Sequence, residues 1–258
     1  MELSRFHPLS VFIYYICAFV LLMLFPHPLL LSIAFFILCV GAFWEDGFKN
    51  ALKSILGNLI LAAFCIIINP LVNHRGPTTL FMLGSMRITL EATLYGLNMA
   101  LVLVTCIRLF LSFCRVMTSV KIMTLLSGKM PSLALVFSMM LRLVPVVKND
   151  AKELKKYQGV NVRSIGMLTS ITLEDGVIRS ISMNDRGYGG KRTSLYRSRL
   201  HMRDMTLIII SVLILAGAIA LIFSGIVFSR FFPAVNISAV PVYVLVPYCL
   251  FFIISLRS

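Results

Sequence analysis

The chain is organised as long apolar stretches separated by short polar segments. Residues 6–44 contain no Asp, Glu, Lys or Arg, and Pro26-His27-Pro28 interrupts them. Because a membrane-spanning helix needs about 20 apolar residues and proline ends helices, this stretch predicts two short spans. They lie at about 9–25 and 28–43. Further apolar stretches predict four more spans, at about 54–73, 92–113, 205–229 and 231–256.

The segment between the fourth and fifth spans has a different pattern. Apolar residues recur there at steps of three and four, which predicts an amphipathic helix. They are Met140, Val144, Val147, Ala151 and Leu154, and another face carries Lys148, Lys152 and Lys155. This helix is expected to end at Gly159, because glycine commonly follows the last helical turn.

A second amphipathic helix is predicted to start at Thr172, where Thr172 and Asp175 have the spacing of a capping box. Its apolar positions are Leu173, Val177 and Ile181, and it is expected to end at Gly187. Two successive amphipathic helices, each ending at a glycine, are typical of a folded cytoplasmic element. The alternative is a pair of membrane-surface helices without a partner.

Composition decides the protein class. Of the 258 residues, 59% are hydrophobic and 13% are charged, with a mean hydropathy of +0.94. A soluble domain is about 45–50% apolar and about 25% charged, so a water-soluble protein is excluded. The predicted fold class is all-α: a polytopic membrane protein with about six transmembrane helices and a long cytoplasmic pair of amphipathic helices. Residues 1–107 would form four spans, 108–204 the amphipathic region and 205–258 the C-terminal spans.

The charge distribution predicts the orientation. The net charge is +14, and 17 of the 24 Lys and Arg residues lie between Arg108 and Arg203. Since cytoplasmic loops of membrane proteins are enriched in Lys and Arg, region 108–204 and both termini are predicted to be cytoplasmic. Such a basic surface also suits anionic lipid, nucleic acid or an acidic protein.

Candidate catalytic chemistry is sparse. The four His residues do not form a metal-ligand pair, and the six Cys residues form no CxxC motif. The Gly-rich segment after Gly187 fails as a phosphate loop, because Asp185 and Arg192 occupy positions that need Gly and Ser or Thr. We therefore predict no catalytic residue, cofactor or metal in this chain, and a protein that is not an enzyme.

The ends of the two predicted amphipathic helices are the most informative segments. The first ends in Tyr157-Gln158-Gly159 and the second in Asp185-Arg186-Gly187. An arginine at a helix C-terminus is favoured by the helix dipole. These segments occur in order with His7-Pro8, Asn69-Pro70-Leu71, Leu141-Arg142-Leu143-Val144-Pro145 and Asn184-Asp185-Arg186-Gly187-Tyr188-Gly189. As a set, they resemble the transmembrane T component of energy-coupling factor transporters, the ATP-driven bacterial importers of vitamins and transition-metal ions.

The resemblance implies a set of partners. T components carry two Ala-Arg-Gly-like motifs, one at the end of each coupling helix, and these helices dock into grooves on two cytoplasmic ABC ATPases. The matching positions here are Tyr157, Gln158 and Gly159, and Asp185, Arg186 and Gly187. The resemblance also implies a small membrane substrate-binding subunit, ATP bound only by the partner ATPases, a bacterial cell membrane location and no nucleic-acid partner.

The sequence departs from the family pattern at both motifs. Gln158 stands where the first motif has arginine, and Asp185 stands where the second has alanine. Two alternatives stay open: an ordinary ABC permease that forms its own substrate path, and a membrane phosphotransferase. Such permeases usually have one short coupling segment, and the enzyme would need a carboxylate cluster beside Asp46 or Asp175.

Overall fold

A computed structural model describes residues 6–73, 78–83, 86–158, 162–187, 201–224, 229–230, 236–237 and 240–255. This part of the chain is predominantly helical. Its helices are α1 Pro8–Leu24, α2 Pro28–Asp46, α3 Phe48–Val72, α4 Leu90–Val116, α5 Ser119–Lys129, α6 Pro131–Gln158, α7 Val162–Asp185, α8 Met202–Phe223 and α9 Val242–Ser255. Two short antiparallel ribbons pair β1 Thr79–Leu83 with β2 Met86–Thr89, and β3 Ser229–Arg230 with β4 Asn236–Ile237.

The chain divides into two compact units. The first comprises Met1–Thr118 with Arg199–Ser258, and the second comprises Ser119–Ser198. The second unit is shorter than the predicted amphipathic region 108–204 at both ends, because α4 continues to Val116 and α8 begins at Met202.

Four described helices are long and apolar enough to cross a membrane: Phe48–Val72, Leu90–Val116, Ser132–Tyr157 and Met202–Phe223. Three shorter apolar helices are Pro8–Leu24, Pro28–Trp44 and Val242–Ile254. These helices identify a membrane protein. The break between α1 and α2 falls at Pro26-His27-Pro28 as predicted, since Pro28 occupies the first turn of α2, where a missing N–H costs no helical hydrogen bond.

The two C-terminal spans are shorter than predicted. The fifth was predicted to reach residue 229, but α8 ends at Phe223 and β3 follows at Ser229. The sixth was predicted over 231–256, but its helix starts at Val242, after β4. Pro241 directly precedes this helix, and its carbonyl accepts from the N–H groups of Val244 and Leu245. Proline at a helix start is favourable, which explains the late beginning of α9.

The core of the first unit lies where α1 meets its neighbours. Tyr14 and Phe251 are fully buried, with ring centroids 4.7 Å apart, and the Tyr14 hydroxyl donates to the Phe251 carbonyl at 2.8 Å. On the other side of α1, the Tyr15 and Ser112 hydroxyls are hydrogen-bonded at 2.8 Å. These contacts join α1 to α9 and to α4, and buried hydroxyls with partners avoid a desolvation penalty.

Polar side chains also connect α3 to α4. The Asn69 amide donates to the Ala92 carbonyl at 2.8 Å, and a Cβ placed on Gly96 would lie 3.0 Å from Asn69 Cβ. Small residues allow such close helix approach in membranes. Near the other end of α4, Arg108 is 3% exposed and its Nη1 donates to Ser54 Oγ at 2.9 Å.

A buried carboxylate joins the first turns of α1 and α8. Asp204 is 5% exposed, and its Oδ1 accepts from the His7 backbone N–H while its Oδ2 accepts from the His201 backbone N–H, both at 2.8 Å. The Ser10 hydroxyl also lies 3.4 Å from Oδ1. The N–H groups at helix starts have no intrahelical acceptor, so one carboxylate here satisfies donors of two helices. We call these four residues the helix-start joint.

Candidate functional site

The first candidate helix, α6, is longer than predicted. It starts at Pro131, well before Met140, the first apolar position predicted for it. The helix continues through Pro145. Val147, Ala151 and Leu154 are half-buried, as the predicted apolar face requires, whereas Met140 and Val144 are exposed. The side chains predicted on the charged face, Lys148, Lys152 and Lys155, are exposed.

The extra length changes the membrane assignment of α6. The sequence predicted that region 108–204 lies in the cytoplasm and contains no membrane span. Ser132–Tyr157 is nevertheless long and apolar enough to cross a membrane. The reason is that most charged residues lie in the second half of the helix, from Lys148 onward, while Arg142 is the one charged residue between Pro131 and Val147.

The second candidate helix, α7, starts ten residues earlier than predicted. It begins at Val162, so Thr172 is an interior residue and the proposed capping box is wrong. The Thr172 hydroxyl instead donates to the carbonyls of Leu168 and Thr169, at 3.0 and 2.9 Å. A threonine hydroxyl commonly bonds back to the preceding turn in this way, and the capping-box spacing alone does not distinguish the two uses.

The three apolar positions predicted for α7 are exposed. Leu173 is 72% exposed, Val177 59% and Ile181 58%. The less exposed positions lie on one side of the helix and are Ser164, Leu168, Thr172, Asp175 and Met183. One face of α7 therefore meets the unit through mostly polar residues, and Leu173, Val177 and Ile181 form a second face, which we call the outer face of α7.

Further apolar side chains adjoin this outer face. Ile171 is 40% exposed and Ile178 is 55% exposed. The sequence analysis missed them, although their seven-residue separation is a helical spacing that could have indicated a second apolar row. With the outer face of α7 these residues make five exposed apolar side chains on one helix, a feature that is a candidate interaction site.

The C-terminus of α7 has the predicted glycine cap. The Arg186 N–H donates to the Ser182 carbonyl at 3.3 Å, and the Gly187 N–H donates to the Asn184 carbonyl at 2.9 Å. Gly187 has φ +75°, a left-handed conformation that costs other residues about 1–2 kcal/mol. Asp185 and Arg186 are exposed. The cap therefore ends the helix directly beside an exposed guanidinium.

The first predicted motif is only partly described. Tyr157, in the last turn of α6, is 85% exposed. Gln158 is the last residue of this helix, and Gly159 lies outside the described residues. An exposed tyrosine ring with a terminal hydroxyl suits a protein interface, where its apolar body can be buried and its hydroxyl can find a partner.

The electrostatics of the second unit are basic. Arg179 and Asp175 form an ion pair at 3.5 Å, and both side chains are nearly half exposed, so the pair contributes little to stability. Burial lowers the pKa of the Lys121 side chain in α5. Among the residues that the structure describes, no group of three His, Cys, Asp or Glu could hold a metal ion.

Comparison with known proteins adds no assignment. No protein-family model matches the chain, and no curated protein matches it in sequence.

Proposed function

We propose that this chain is the transmembrane coupling subunit of an energy-coupling factor importer. In this role it connects two cytoplasmic ABC ATPases to a small membrane subunit that captures a vitamin or a transition-metal ion. ATP binding would bring the ATPases together, the C-terminal ends of α6 and α7 would follow them, and the capture subunit would reorient to release its substrate inside the cell.

The outer face of α7 carries this proposal. A helix that turns Leu173, Val177 and Ile181 outward leaves apolar area that is stabilised by burial, at about 25 cal/mol per Å². The same helix ends in exposed Arg186 and the glycine cap. A helix with an exposed apolar row and an exposed cation just after its last turn matches a helix that inserts into a groove, with the apolar row as anchor and the arginine as the polar contact.

A site-specific photocrosslink tests the proposal. A photoreactive phenylalanine at Val177 in the full chain, expressed in its native membrane, should crosslink to an ABC ATPase identified by its mass and its nucleotide-binding loop. The same group at Lys148, exposed on α6 and about 15 Å from that helix's C-terminus, is the control. Crosslinks from Val177 to lipid alone would contradict the proposal.

Catalysis gives a second test. The purified chain alone should hydrolyse no ATP. ATPase activity should appear when the ATPases identified by crosslinking are added. Turnover by the isolated chain, free of contaminating ATPase, would contradict a purely coupling role.

One observation favours an ordinary ABC permease instead. Because Ser132–Tyr157 is long and apolar enough to span, α6 could line a substrate path and place α7 on the other side of the membrane from the C-terminus of α4. Reporter fusions at Ser170 and Met117 distinguish the two functions. We expect both to report the cytoplasm; an external signal at Ser170 alone would support the permease.

A further inference from the structure

A groove in the first unit has the dimensions of a ligand site. It has a volume of about 370 Å³ and lies between α1, α8 and α9. Ligand pockets usually measure about 300–1,000 Å³. Its α8 wall runs from Arg203 through Leu207 and Ile210 to Ser211, a distance of about 12 Å along the helix axis. This is less than half of the roughly 30 Å hydrocarbon thickness, so the groove stays within one leaflet.

The wall of the groove is apolar and already formed. Tyr14 and Phe251 make its floor, held by their hydrogen bond and ring contact. The two other hydroxyls in the wall are used within α8: Thr206 donates to the Arg203 carbonyl at 2.8 Å, and Ser211 donates to the Ile208 carbonyl at 2.9 Å. A hydrocarbon chain can therefore lie against this wall without leaving a polar group unsatisfied.

One end of the groove is cationic. Arg203 is exposed and lines the groove, and no hydrogen bond or ion pair of its guanidinium occurs in the described part of the chain. The neighbouring acidic side chain, Asp204, is buried and bound to the N–H groups of His7 and His201. The guanidinium therefore remains the charged group available to a ligand, and its planar fork matches a phosphate.

Ile210 and Ile253 keep 49% and 44% of their surface exposed, so the groove opens sideways. In a membrane protein this opening faces lipid or a membrane partner. A molecule with a hydrocarbon chain and an anionic phosphate fits an apolar groove with arginine at its end. We propose that α1, α8 and α9 bind one anionic phospholipid, with an acyl chain along Leu207 and Ile210 and the headgroup phosphate on Arg203.

The site is tested by native mass spectrometry of the full chain in detergent, titrated with phosphatidylglycerol or phosphatidylcholine. One basic residue near a membrane surface contributes about 1 kcal/mol toward anionic lipid, so the first phosphatidylglycerol should bind about fivefold more tightly than phosphatidylcholine. Arg203→Gln should remove this preference. Lys49→Gln is the matched control, because it removes an exposed positive charge at the start of α3, outside the groove, and should keep the preference.

The acyl-chain half of the site has its own pair of variants. Ile210→Trp fills the groove and should lower the binding of the first lipid of either class. Ile209→Trp places the same bulk at a position that is 56% exposed and does not line the groove, and it should have no effect. The proposal is overturned if Arg203→Gln keeps the fivefold preference, if Ile210→Trp binds the first lipid normally, or if inorganic phosphate displaces that lipid.

Discussion

The helix-start joint and the outer face of α7 use their side chains in opposite ways. In the joint, Asp204 is almost completely buried and accepts hydrogen bonds from the first turns of two helices. On α7, Leu173, Val177 and Ile181 keep more than half of their surface exposed in the described part of the chain. The helix-start joint satisfies backbone N–H groups of the chain itself. The outer face of α7 is exposed within the second unit, and the proposed function assigns its apolar residues to a contact with an ABC ATPase.

The largest effect is expected in the joint. Asp204→Ala removes the acceptor of the part-buried His7 and His201 N–H groups, and an unsatisfied donor costs about 1–3 kcal/mol when it is fully buried. We expect the free energy of unfolding to fall by about 2–5 kcal/mol, measured by denaturant unfolding in detergent. Asp204→Asn retains one acceptor oxygen and should lose less. If both variants lower the free energy of unfolding equally, the two carboxylate oxygens do not make separate contributions.

The outer face of α7 should show the reverse behaviour. Leu173→Ser with Val177→Ser removes two exposed apolar side chains, so the melting temperature of the purified chain should change little. Each side chain contributes about 1.5–3 kcal/mol when fully buried, so ATPase binding should weaken about a hundredfold or more. Binding is measured by titration in detergent. A large loss of thermal stability with unchanged binding would make these residues part of the fold.

The two helix ends should differ in strength. Arg186→Ala removes a charged donor, and hydrogen bonds to charged groups contribute about 1.5–3 kcal/mol, against about 0.5–1.5 for neutral ones. Arg186→Ala should therefore weaken ATPase binding at least about tenfold, and Gln158→Ala only a few-fold. Transport at matched expression gives a second measurement. If Gln158→Ala is the more damaging change, the roles assigned to the two motifs are reversed.

The smallest effect compares two glycines of the same segment. Gly187→Ala forces a Cβ into a left-handed conformation and should destabilise the last turn of α7 by about 1 kcal/mol. Gly176→Ala lies in the helix interior, with nothing within 4 Å of the new Cβ, and should stabilise α7 by about 0.5–1 kcal/mol. Hydrogen exchange of the α7 amides measures both. Changes of the same sign would contradict the cap.

Local sequence signals predicted the features that depend on local chemistry. Pro28 marked the start of α2, and Gly187 marked the end of α7, because each residue restricts or permits a backbone conformation by itself. The start of α7 was wrong, since Thr172 can either cap a helix or bond to the preceding turn. Asp204 could not be recognised as a joint, because His7, its partner, lies 197 residues away in the sequence.

The sequence also could not show whether the apolar side chains of α7 are buried or exposed. Periodicity identified Leu173, Val177 and Ile181 as one face of a helix, but the same spacing serves a buried core and an external contact equally well. Only the packing of Ser164, Leu168 and Thr172 on the opposite side of α7 distinguishes the two. The candidate site therefore stays a prediction from the sequence, while the exposure of its apolar face required the structure.

The close approach of α3 and α4 has a consequence for inheritance. Gly96 leaves just enough room for Asn69, whose amide binds the Ala92 carbonyl. A larger residue at position 96 would collide with Asn69, and a smaller residue at position 69 would relieve the collision but lose the hydrogen bond. Neither position can therefore drift alone. In the descendants of this gene, substitutions at 69 and 96 should therefore occur together as compensated pairs. A substitution at only one of the two positions should be short-lived.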